Sequence, residues 1–493
     1  MKKLIGMTAL AMSALLTACG GGGGSAGSSD LPYSISLRAD KTQLPLNISN
    51  QMAAIGAYSP FTTTLYVEAR EGNRPILGGE EIFGCNVAGG LESGSLYYLD
   101  GKDEHMVEVD DGKGGTIKVP GAYRNIVLDS NSGGNSFHFH AGNKAGTARI
   151  TCTVTNPADK LVSSASVDIV VGAATGKPAS VLGTTQAPGY LGTRDNTFID
   201  VNGQRMRNNV GINAFVMDDA NQPIPEPSAA NLQVSIRPFS ASAGARLLSG
   251  TQSGSMLQVR TLGGVGLISL SSGPGAGVIL LELTTDRADN NVSNGIQDPV
   301  TALMAVSVQN APPGTTPLTI KDTSISVTNG MAFSYALTGQ GGRPPYQWSS
   351  SALPSGLVLS ADGIISGIPT VKNGTYNVTV TVKDYAGMEQ SQNLIVKVEG
   401  EFAIDGCSSD VSAPCALPGG TVGDGYSYTL SFSIGDPAVP VVWTITGNLP
   451  PGLAMAANGT ISGTPTTAGT YTFIVTATRG TLVVSRQVSI VVG

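Results

Sequence analysis

The side chains from which this chain could build a metal or acid–base centre are few: three histidines, five cysteines and a handful of carboxylate clusters. Phe137-His138-Phe139-His140 sets two imidazoles at alternate positions, so that in a strand both lie on one face, as a metal pair requires. The same alternation predicts that both phenylalanines are buried and both histidines turned to water. Asp100, Asp103, Glu104, Glu108, Asp110 and Asp111 crowd one short stretch, which reads as a solvated loop or edge hairpin, with a divalent-cation site as the sharper alternative. Asp289-x-Asn291-x-Ser293 opens like an EF-hand loop. Gly295 comes one place late, however, and Val300 stands where a bidentate glutamate is needed, so the stretch reads as a turn whose side chains cap its own backbone.

Catalytic patterns are absent or accidental. The chain has no Cys-x-x-Cys, no His-Glu-x-x-His and no phosphate loop. Gly23-x-Ser25-x-Gly27 and Gly22-x-Gly24-x-x-Gly27 imitate a nucleophile elbow and a dinucleotide loop, but no strand precedes them and no helix follows. The reading is a non-enzyme, although paired carboxylates on a β-scaffold remain one route to glycoside hydrolysis. A net charge of −7 argues against nucleic acid as a partner.

The elements that carry these residues are strands. In Thr375 to Val382, Tyr376, Val378, Val380 and Val382 share one face and Thr375, Asn377, Thr379 and Thr381 the other. Tyr471, Phe473, Val475 and Ala477 repeat the pattern, and Tyr426, Tyr428, Leu430, Phe432 and Ile434 alternate in the same way. A whole segment recurs: Trp348 as Trp443, Leu353-Pro354 as Leu449-Pro450, Gly356-Leu357 as Gly452-Leu453, and Gly363-x-x-Ser366-Gly367 as Gly459-x-x-Ser462-Gly463. Asp362-Gly363 and Asn458-Gly459 are expected to supply the positive-φ positions of tight hairpins. At these residues the chain resembles the putative-immunoglobulin, dystroglycan-type cadherin-like family. The resemblance covers the last third of the chain and implies tandem β-sandwiches; it implies little about activity.

At the start, Met1-Lys2-Lys3 is followed by an apolar run from Leu4 to Leu15, too short to span a membrane, and then by Leu16-Thr17-Ala18-Cys19. These four residues resemble the bacterial lipobox. The resemblance implies cleavage before Cys19, a lipid on that cysteine, and export; with no aspartate after Cys19, it implies the outer membrane. Removal of Lys2 and Lys3 would leave a net charge of about −9. Gly20 to Ser29 lacks side chains to pack and reads as a flexible tether reaching on the order of 20 Å.

A weaker repeat links the first half of the chain to itself. Leu65, Val67 and Ala69 alternate with polar residues before Glu71-Gly72-Asn73-Arg74-Pro75-Ile76, and Val216-Met217 leads into Asp219-Ala220-Asn221-Gln222-Pro223-Ile224. These turns resemble those of invasin and intimin-type immunoglobulin-like domains, with asparagine where that family has glycine; asparagine tolerates the left-handed conformation. Four cysteines remain after Cys19, an even number suited to an oxidising compartment. We pair Cys85 with Cys152, at a separation typical of an inter-sheet bridge, and Cys407 with Cys415 around a small loop.

The fold class is therefore all-β, a series of immunoglobulin-like sandwiches: signal segment 1–18, lipidated tether 19–30, modules 31–172 and 177–308, a proline linker 309–317 that holds the two halves apart, and modules 318–398 and 401–493. Cadherin-like resemblance implies calcium at a module junction, where Asp384, Glu399, Glu401 and Asp405 are the candidate ligands. The expectation is a lipid-anchored rod in the cell envelope, serving adhesion or support. It would be attached to the membrane through Cys19 and would meet protein or glycan at the cell surface, with a calcium-binding module or a carbohydrate-binding accessory as alternatives.

Overall fold

The computed structural model describes residues 31–493 apart from 73, 77–78, 101, 111–115, 131–132, 200–202, 204, 372, 401–403, 408–413, 434–439 and 480–481. Among the described residues there is no α-helix, and the strands form four sandwiches in series.

In the first sandwich, one sheet runs Tyr33–Ala39, Thr62–Glu71, Gly134–Ala141, Gly94–Tyr97. The other runs Gln43–Leu44, Val162–Val171, Gly146–Thr155, Gly79–Gly89, Asn125–Ser130. Alternation builds the core between them: Leu65, Val67 and Ala69 from one sheet meet Ala148, Ile150 and Cys152 from the other. The second sandwich follows the same plan, with Asn209–Met217 and Val265–Ser271 in one sheet and Leu232–Arg237, Gly277–Asp286 and Pro299–Gln309 in the other. The third and fourth are smaller, with sheets of four and three strands. All four share one closing device, a short early strand that pairs parallel to the module's own last strand. The pairs are Gln43–Leu44 on Val170–Val171, Leu191–Gly192 on Val308–Gln309, Ser324–Thr328 on Ile395–Glu399 and Cys415–Ala416 on Val488–Ser489.

The recurring tryptophans explain the recurring glycines. Trp348 and Trp443 sit at matching register positions, opposite Val382 and Ala477, and both are buried. A Cβ on Gly363 would fall 2.6 Å from the Trp348 ring, and one on Gly459 would fall 2.8 Å from the Trp443 ring. Only the glycines of these turns have positive φ, +91° and +84°. Asp362 and Asn458, expected to share that conformation, do not, because the turns span four residues, closed by Ser360 N–H to Ile364 O and Ala456 N–H to Thr460 O. The strand predicted from Tyr426 to Ile434 stops at Thr429. Leu430 and Phe432 are still buried, and Ile434 lies outside the described residues.

The proline linker does not hold the halves apart. Gly314 N–H donates to Gly342 O and Gly342 N–H to Thr316 O, which ties the linker to the third sandwich. That sandwich then packs on the outer face of the second one's sheet. Val278, Leu280, Ala336 and Ile364 form a cluster of their own, joined by Phe239, Leu303 and Ala305. The first sandwich reaches the same face through Tyr58. The rod expected from the sequence is thus replaced by a folded-back arrangement, in which the apolar side chains on the outer face of this sheet are favourably buried.

The tryptophan–glycine contact predicts an ordered pair of effects in one sandwich. Gly459→Ala combines a positive φ with a clash and should cost roughly 2–4 kcal/mol. Gly423→Ala, at φ +86° with nothing within 4 Å, should cost only the backbone strain, about 1–2 kcal/mol. Urea denaturation measures both; equal losses would remove the indole contact from the account.

Candidate functional site

The first joint is built from the turn that resembled those of invasin. Asp218 Oδ1 accepts the N–H groups of Ala220 and Gln222, which lets Asn221 take φ +56°. Asp219, 1% exposed, is then aimed at the linker: its carboxylate accepts from Thr175 Oγ1 and from Arg287 Nη2, at 2.9 Å to Oδ2, while its carbonyl accepts Leu46 N–H. Arg287 also donates to Pro178 O and Gln43 Oε1, so one guanidinium touches both sandwiches and the segment between them.

The second joint lies on the outer face of the Leu232–Arg237, Gly277–Asp286 and Pro299–Gln309 strands. Arg237 pairs with Glu282 on the neighbouring strand and donates to the Tyr58 hydroxyl at 3.0 Å, which in turn donates to Glu282 at 3.0 Å. Burial, and then the Glu282 charge, raise the Tyr58 pKa and keep the phenol protonated as a donor. Thr301 Oγ1 donates to Ala57 O beside it. Toward the third sandwich, Phe239 meets Tyr335 edge to face at 5.1 Å and Ala305 N–H donates to Asp362 Oδ2 at 3.2 Å. Sequence reasoning missed Tyr58, Arg237 and Glu282. Its available signal was Val278 to Leu281, an unbroken apolar run where a one-sided strand would alternate.

The sequence-predicted groups fall elsewhere. Cys85 and Cys152 are bridged, as are Cys407 and Cys415. The first bridge is not between sheets: Cys85 and Cys152 face each other across adjacent strands of one sheet, with Cα atoms 4.0 Å apart. Cys19 lies outside the described residues, as does Glu401.

The calcium quartet does not assemble. Asp384 follows Gly374–Lys383 at the turn into Glu389–Glu399, and Glu399 ends the second of these paired strands. They occupy opposite ends of a ten-residue ladder, about 30 Å apart. Asp384 is 5% exposed and engaged with the N–H groups of Arg343 and Met388, both at 2.8 Å; Asp405 accepts from Ser433. Among the described residues no three metal-capable side chains converge. The Asp289 stretch caps itself: Asp286 Oδ1 accepts from Ala288 and Asp298, Oδ2 from Gln297, and Asp289 from Asn291. Burial pushes the Asp286 pKa up, but those backbone donors outweigh it and leave it lowered.

The acidic stretch leads into a two-stranded sheet of its own, Met106–Asp110 on Thr116–Pro120, with Asp111 outside the described residues. At its base, Asp100 holds His105 Nδ1 at 2.9 Å, and Tyr98 stacks flat on the imidazole at 3.5 Å. The strand pair His138 and His140 contradicts the expectation of exposure, since both are 7% exposed behind buried Phe137 and Phe139. The segment around Asn47 and Gln51 covers the outer face there, and Thr62 Oγ1 and Gln51 O bracket the His140 ring at 2.8 and 2.9 Å. Burial lowers both pKa values, that of His138 to about 4.

Comparison with known proteins bears on the last third of the chain. Residues 313–399 and 409–493 each match the family described as "Putative Ig domain". One match falls on each of the two C-terminal sandwiches. Among curated proteins none is similar enough to count as a relative. Solved structures similar to the chain include the eight N-terminal Ig domains of Down Syndrome Cell Adhesion Molecule, at 11% identity and TM-score 0.32 over 94% of this chain and 55% of that one. This chain thus spans about half of that structure. Invasin, a bacterial integrin-binding protein, gives 12% identity and TM-score 0.17 over 92% and 79%. The EC1-2 segment of human Protocadherin-24 gives 15% and 0.20 over 36% and 97%. At these TM-scores the likenesses carry no argument; the tandem immunoglobulin-like architecture, which is typically non-catalytic, rests on the sheet pairing and the family match.

The buried histidine sets a pH dependence. An unfolded His138 protonates near pH 6.5, whereas the buried one stays neutral until about 4. Stability is therefore complete above pH 6.5 and lost as pH falls toward 4, by about 3 kcal/mol in all. Urea midpoints at pH 7.5 and 4.5 test this: His138→Gln should flatten the slope, and an unchanged slope would contradict it.

Proposed function

We propose that the chain is a non-catalytic, lipid-anchored protein of the bacterial outer membrane that presents interlocked immunoglobulin-like sandwiches for adhesion or structural support. The observation that carries this reading is the tandem of sandwiches joined by side-chain contacts rather than strung on free linkers: Asp219–Arg287 at one joint, the Val278–Ile364 cluster at the next. Such joints fix where each module's loops face, which a presenting scaffold needs and a chain of independent binding units does not. Leu16-Thr17-Ala18-Cys19 and the glycine-rich tether support the anchor, with the body held off the bilayer. Trp348 and Trp443 are spent in cores, which disfavours a sugar platform built on tryptophan.

Membrane fractionation tests the address. One acyl chain contributes about 0.8 kcal/mol per buried CH₂, and stable anchoring takes more than one chain. The parent chain should sediment with membranes and incorporate labelled palmitate, and Cys19→Ala should incorporate none. A parent that takes up no palmitate, or a variant that still takes it up, would refute the anchor.

A further inference from the structure

The second sandwich has two outer faces, and the third sandwich packs on one of them. The other belongs to the sheet Ser180–Thr185, Asn209–Met217, Val265–Ser271, Arg246–Ser249, Gln252–Gly254. Register places Leu182 opposite Phe215 and Phe215 opposite Val265, an apolar row across three strands. The next row brings Leu267 opposite Asn213, and the one after it Leu248 opposite Ser269. Leu182 is 53% exposed, Leu267 64% and Leu248 37%.

We propose that this face is a self-association surface whose partner is a second copy of the chain. Charge is the first reason. The outward positions of these strands carry one cation, Arg246, and no carboxylate, in a chain of net charge −7. Two copies repel each other over most of their surface, and here they meet without like charges opposed. A strongly charged partner would find no set of countercharges to hold it. Continuity is the second reason: Leu182 and Phe215 also line the apolar cleft between the first and second sandwiches, so the patch extends an interface the molecule already uses. The opposite face of the same sandwich buries Val278 and Leu280 against another immunoglobulin-like module, which is the packing a second copy would repeat. Five strands about 4.8 Å apart and some 20 Å long give roughly 500 Å² per copy, at the lower bound for a specific and reversible interface.

The proposal supplies a partner for the adhesive reading above and does not depend on the lipid, so fractionation and self-association fail independently. Sedimentation equilibrium of the full chain in density-matched detergent, up to about 200 µM, should show a monomer–dimer equilibrium, since an interface of this size supports micromolar affinity. Leu248→Glu with Leu267→Glu, both outside that cleft, should weaken it at least about ten-fold, because like charges would then face each other, while the melting temperature stays unchanged. Leu161→Glu, on an exposed site of the first sandwich, should leave it intact. A monomer throughout, or a dimer indifferent to the double substitution, overturns the proposal.

Discussion

The architecture depends on one strand, Gly277–Asp286, that is buried on both faces. Ile279, Leu281 and Leu283 fill the core of the second sandwich, while Val278 and Leu280 point outward into a cluster shared with the third. Burying an aliphatic side chain of that size contributes about 1.5–3 kcal/mol, so the outward pair outweighs any single polar contact at the joint. The Arg237–Glu282 pair is 40% and 23% exposed and, as a partly solvated ion pair, adds about 1 kcal/mol or less. Its contribution is direction: with Tyr58 it fixes where the first sandwich sits on a face that apolar contact alone would leave free to slide.

Within each C-terminal module the organising contact is an indole against a glycine. Trp348 donates its N–H to Ala361 O and Trp443 to Ala457 O, so each tryptophan's backbone is bonded to the turn whose glycine its ring covers. The glycine carbonyl then accepts from Leu337 or Leu430 in another segment. A tryptophan, a four-residue turn and a third segment are thereby fixed together, which is why these positions recur as a set.

Much of this was legible in the sequence. Period-two alternation located the strands around Val67, Val216 and Val380, because each has one wet and one dry face. Both cysteine pairs followed from an even count together with their spacing in the chain, yet the sheet placement of Cys85 and Cys152 did not, since linear separation says nothing about which strands become neighbours. Asp384 and Glu399 looked adjacent to a junction for the same reason; the hairpin between them carries one to the far end of the module. His138 and His140 were misjudged because alternation assumes an open outer face, and the chain around Asn47 closes it. The folded-back arrangement had a local sign, the unbroken run Val278 to Leu281, whose meaning depends on a domain that lies later in the chain.

Small-angle scattering, extrapolated to zero concentration, tests the central claim that this face gathers the modules. Four sandwiches end to end, each about 35–40 Å long for ten-residue strands, would reach roughly 150 Å. The expected maximum dimension is well below that, with a shift toward the longer value in Leu280→Glu, which places a carboxylate in the cluster. A parent chain already as long as the rod would contradict it.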